Sequence, residues 1–143
     1  MTTPNPKAEC ETLMSTAITF AEQMLEEHGE FWPYGEALDL SGEIVAIAAH
    51  DGQETPASVD LIDLLKHAFV KGARERKYKA TALVYDVRVP LPSTGEKSDA
   101  IAVSLNHRDN YSVVVFFAYR IDDGKYIPGE VFAQEGEADV FGK

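Results

Sequence analysis

One cysteine, one tryptophan and few basic residues set the first limits on this 143-residue chain. With Cys10 alone, no intramolecular disulfide can form and a cysteine zinc cluster is excluded. There is no run of about 18 apolar residues, so no membrane-spanning helix is expected. The opening stretch MTTPNPKAECE lacks the basic-then-apolar pattern of a secretory signal, and with the lone thiol this points to a reducing cytoplasm. Thirteen Lys and Arg stand against 24 Asp and Glu, a formal net charge of −11. Such a surface repels nucleic acid and anionic membrane. It serves solubility alone, or it offers an acidic face to a basic partner.

Signatures of catalysis are also missing. No GxSxG elbow, HExxH pair or glycine-rich phosphate loop occurs. His28, His50, His67 and His107 are scattered, so no metal site and no cofactor is expected. Cys10 lies between Glu9 and Glu11, whose charges raise a thiol's pKa and argue against a reactive thiolate. Two His–Asp neighbours, His50 with Asp51 and His107 with Asp109, form a weak candidate polar site. An acid beside an imidazole can orient it, but both pairs fall at strand ends, where the same residue types serve turns. The sequence thus leans away from an enzyme without deciding the question.

The elements that are present read clearly. Asn5-Pro6 is a cap followed by a helix-compatible proline, and His28-Gly29 is a helix stop. Between them Met14, Ile18, Ala21 and Leu25 recur at helical spacing. A hairpin follows, turning at Asp39-Leu40-Ser41-Gly42, with IVAIA (44–48) apolar throughout and so expected as an inner strand. Pro33 cannot donate to a ladder, which pushes the start of its own strand to an edge or a bulge. Thr55-Pro56 opens a second helix with Val59, Ile62, Leu65 and Phe69 as its main apolar stripe. Lys66, Lys71, Arg74, Arg76, Lys77 and Lys79 cluster towards and beyond its end, where positive charge complements the helix dipole; a binding patch is the alternative. Alternating runs then predict a four-strand meander, with YSVVVFFAYR covered on both sides and KYIPGEVFA at an edge.

The order α-β-β-α-β-β-β-β predicts one α+β domain over residues 1–143: a single antiparallel sheet of about five to six strands with two flanking helices and a loosely ordered tail from about residue 135. By element order alone it resembles profilin-like and roadblock-like layouts, which implies binding or scaffolding roles. The stretches EFWPYGEA (30–37) and YDVRV (85–89) also resemble a family of small uncharacterised acidic bacterial proteins that carry an EFYPFGA-like stretch and a YDVRV-like strand. Here Trp32 and Tyr34 hold the aromatic positions and Glu36 precedes Ala37. That resemblance implies a bacterial cytoplasmic protein and supplies no active site.

Phe31, Trp32, Pro33 and Tyr34 form the candidate interaction surface. In extended chain Phe31 and Pro33 share one side and Trp32 and Tyr34 the other, and both sides cannot easily face water. One set packs under the first helix; the other is core, or meets a partner. The expected function is therefore a non-catalytic protein-binding module, a homodimer or a binder of another protein, with an acidic inhibitor as one specific form. The alternative is a small-molecule binder or minor enzyme with a pocket between sheet and helices.

Overall fold

A computed structural model of the chain describes residues 5–47, 58–138 and 140–141. Helix α1 runs from Pro6 to His28 and is followed by strands β1 (Tyr34–Asp39) and β2 (Ile44–Ile47). Helix α2 (Ser58–Arg74) precedes β3 (Tyr78–Pro90), β4 (Lys97–His107), β5 (Tyr111–Asp122) and β6 (Lys125–Glu135). The expected α+β class and element order are what the structure has. All six strands join one antiparallel sheet in the order β2-β1-β3-β4-β5-β6. Among the described residues, no helix is long and apolar enough to cross a membrane.

The ends of α1 follow from its sequence. The Asn5 side chain accepts from the Ala8 backbone N–H at 2.7 Å, and Gly29, at φ 74°, donates its N–H to Leu25 O at 2.9 Å. A residue with a Cβ is strained at that φ, so glycine ends the helix there. The buried stripe is Cys10, Leu13, Ala17, Ala21 and Leu25; Met14 and Ile18, expected at its centre, are half-buried at its margin. Three small residues inside that stripe let the helix lie close on Ala80, Ala82 and Val84 of β3 and Ile101 and Val103 of β4.

Strand alternation sends the opposite set to the other face. Leu83 of β3 packs with Leu65 and Phe69 of α2 and with Ile47 of β2. The two helices therefore cover opposite faces of the sheet, making three layers. Gly35 of β1 has a packing role here: the Phe69 ring occupies the space that a side chain would need. The Gly within EFWPYGEA is thus explained by close approach of α2 to the sheet.

Two sequence readings are corrected. Ile44–Ile47 do not form an inner strand: β2 lies at one edge of the sheet and its residues are half-buried or exposed, while Ala48 lies outside the described residues. The apolar residues of β2 are shared between the two faces, Ile44 packing on the α1-side core and Ile47 on the α2-side cluster, and periodicity cannot distinguish this edge packing from an inner strand. Pro33 does not mark an edge strand either. It lies just before β1, which is paired on both sides, by β2 and by β3. In the tail, Val140 is buried with Leu65, Phe69 and Leu83, and the backbone N–H groups of Gly136 and Ala138 bond to Ser112.

Candidate functional site

Between the end of α1 and the start of β1, Glu30 to Pro33 run outside any strand. Phe31 and Pro33 are buried, and Phe31 joins the α1-side core. Trp32 points the other way and is 49% exposed. Tyr34, at the first position of β1, turns back under the helix. Its phenol donates to the Ala17 carbonyl, and its ring lies 4.8 Å from Phe20 and 6.0 Å from Phe31 between centroids. Burial, and then the Glu36 charge, pushes the Tyr34 phenol above its ordinary pKa, so it stays a donor at neutral pH.

The set divides otherwise than alternation suggested: Phe31 and Pro33 are buried and Trp32 is exposed, but Tyr34, expected on the Trp32 side, packs with Phe31 under α1, because the segment before β1 is not extended strand. The structure adds what the sequence reading missed. Phe20, Met24 and His28 repeat every four residues along α1, on a stripe offset from the buried one. Together with Phe31, Trp32, Pro33 and Tyr34 they line a groove of about 520 Å³, in which Phe20 already touches Tyr34. Phe20 is itself 43% exposed. The signal was the Phe20/Met24 pair at i, i+4, outside the core register.

His107 has a different setting. It is buried at the end of β4, on the face that α1 covers. Its Nδ1 accepts from the Asp109 backbone N–H at 3.0 Å, which leaves the ring proton on Nε2. That nitrogen donates to Glu9 Oε1 at 2.9 Å, and Glu9 Oε2 meets Lys79 Nζ at 2.5 Å. Burial alone would raise the Glu9 carboxyl; the bonds from Lys79 and His107 outweigh it and hold the group below its ordinary pKa. Cys10, next in the chain, is fully buried, and burial with the Glu9 and Glu11 charges pushes its thiol up to about 12. A hollow of about 380 Å³ lies beside His107, lined also by Asn106, Asn110 and Tyr111. Both nitrogens of His107 are already committed, so the ring has no lone pair to offer a substrate in that hollow. The Asp109 carboxylate, 3.8 Å from Nδ1, is exposed and does not orient the ring. His107 instead clamps the first turn of α1 to the sheet. His50 and Asp51 lie outside the described residues.

The basic cluster does not present a single patch. Lys66 meets Glu137 at 3.8 Å, Lys77 meets Glu75 at 3.5 Å, and Lys79 turns inward to Glu9. Lys71 and Arg74 sit in the last turn of α2, where they complement its dipole, and Arg76 is exposed just beyond. Among the described residues no group of three or more His, Cys, Asp or Glu side chains could hold a metal ion. His67 Nδ1 contacts the Asp63 carbonyl oxygen at 2.8 Å, so its partner is the backbone one turn earlier.

No family model, curated protein or solved structure gives a significant match to this chain.

Proposed function

We propose that this chain is a non-catalytic protein-binding module of a bacterial cytoplasm, which receives an apolar side chain of its partner in the groove between α1 and the Phe31–Tyr34 segment. The observation that carries this reading is the joint exposure of Trp32 and Phe20 in the lining of one groove. An isolated exposed aromatic is ordinary; two lining one concave surface are not. The Trp32 segment is held at both sides. Phe31 and Pro33 anchor the Trp32 segment in the core, and the Tyr34 hydroxyl ties it to α1.

Magnitudes decide what kind of binding this is. Covering the exposed parts of both rings removes about 200 Å² of apolar surface, worth about 5 kcal/mol in gross terms. Association itself costs about 4–15 kcal/mol. The groove alone therefore gives a weak contact, and a tight complex needs further interactions around it.

The direct test uses Trp32, the only tryptophan. Its emission and its quenching by acrylamide are followed across a dilution series, and partner capture from the source lysate is compared for wild type and a Phe20→Ala/Trp32→Ala double variant. The expected result is a quenchable Trp32 at every concentration and a captured protein that the variant loses. Equal capture by both proteins would overturn the reading. Quenching that rises on dilution would mean that a second copy of the chain occupies the groove.

A further inference from the structure

The two helices treat their C-terminal ends in opposite ways. α2 ends with Lys71 and Arg74, which complement the negative pole of its dipole. α1 ends with Glu26 and Glu27 in its last turn and Glu30 just past Gly29, all exposed. The basic group in that turn is His28, 3.8 Å from Glu27. Three carboxylates thus sit where the free carbonyls of the helix already concentrate negative charge. This end of α1 is also the mouth of the groove, since His28 and Glu30 line it beside Trp32. No Lys or Arg is among its described lining residues.

Such an arrangement works against the folded chain on its own and favours a cation brought from outside. Inside the fold Glu27 has only exposed contacts, a hydrogen bond from Gln23 Nε2 at 3.1 Å and the His28 contact, and a local rule so weakly compensated marks a binding site more often than scaffold. The exposed Trp32 face adds a surface that attracts cations through its quadrupole.

We propose that the groove is built for a basic peptide segment of a partner protein, with an aromatic or branched aliphatic anchor seated between Phe20 and Trp32 and a neighbouring Lys or Arg held by Glu27, Glu30 and the α1 C-terminus. This rests on the groove being a binding site and adds the chemistry of its occupant. It also supplies the interactions that the apolar contact lacks. The charge of the whole chain, −11, brings such a partner in rapidly at low salt.

The experiment selects a random dodecapeptide library displayed on phage against the full chain, with counter-selection against Trp32→Ala. Selected peptides are then synthesised and titrated against Trp32 fluorescence at low and high NaCl. The inference expects an apolar anchor flanked by Lys or Arg and a blue shift of Trp32 on binding. It further expects affinity about five- to tenfold lower for a Glu27→Gln/Glu30→Gln double variant, and lower again in high salt. Trp32-dependent peptides with no enrichment of Lys or Arg, or affinity unchanged in the double variant, would overturn the inference and leave the groove as a binding site. A library that yields no Trp32-dependent peptide would remove the binding site and the inference together.

Discussion

The two ends of α1 are built on opposite principles. At its N-terminal end Glu9 is mostly buried and satisfied by Lys79 and His107, Cys10 is sealed in, and Asn5 caps the first turn. At its C-terminal end the aromatic rings of Phe20 and Trp32 stand partly in water and acids gather at the wrong pole of the dipole. The first end shows what this chain does with charge when stability is the object. It pairs the charge, buries it and fixes its geometry from three elements. The second end is capped by Gly29 but leaves its acids exposed, with only surface contacts to Gln23 and His28, which is why it is read as the place where the chain meets something else.

The comparison breaks most sharply at Glu9. Glu9→Ala leaves the Lys79 ammonium and the His107 Nε2–H facing a largely buried gap, and a loss of about 3 kcal/mol is expected by urea unfolding. The same carboxyl sets an acid dependence. Its pKa is lower in the folded chain than in the unfolded one, so its contribution is complete above the ordinary glutamate value and is lost as pH falls through the folded pKa. The stability gap between wild type and Glu9→Gln should therefore narrow as pH falls below the ordinary glutamate value. A gap that stays open in acid would show that the contacts to Glu9 are not charge-dependent.

Next in size is Gly35→Ala, which tests the scaffold behind the groove. A Cβ there overlaps the Phe69 ring, and Phe69 is fully packed, so the expected cost is about 1–3 kcal/mol. Because the strain falls on the α2 side of β1, Trp32 on the α1 side should keep its emission maximum. A red shift of Trp32 in that variant would mean that groove and scaffold are one unit.

How far these features were legible in the sequence follows from how local each one is. The caps at Asn5 and Gly29, the inward set Ile101, Val103 and Leu105, and the edge position of β6 all depend on periods or on residues close in the chain. The position of β2 depends on which strand pairs with β1 on its other side, and no periodicity contains that. The partnership of Glu9 with His107 joins residues 98 positions apart, and the sequence offered only the nearer Asp109 as a partner. The groove was half legible. Phe31 to Tyr34 announced themselves by composition, while Phe20 and Met24 were hidden in a helix whose apolar residues were assigned to one stripe when they form two.

Trp32→Ala sharpens the contrast from the other side. The side chain is half in water and the residues on either side of it hold the segment down, so its removal should cost less than about 1 kcal/mol. Thermal unfolding would show little change in that variant while partner capture falls. A large loss of stability would instead return the aromatic stretch to the core.

The smallest effect carries the sign that separates the two ends. Removing the carboxylate at Glu9 must destabilise, because its charge is paired. Removing the charges at Glu27 and Glu30 should stabilise the isolated chain by a few tenths of a kcal/mol each, since they oppose the helix dipole; the exposed Glu27–His28 contact offsets little of this. The gain should shrink as salt is raised, because the groups are exposed and the interaction is screened. Chemical denaturation by urea, which leaves ionic strength unchanged, is the measurement that resolves it. Loss of stability in Glu27→Gln/Glu30→Gln would mean that these acids are satisfied within the fold, and the case for a cationic partner at the mouth of the groove would lose its electrostatic ground.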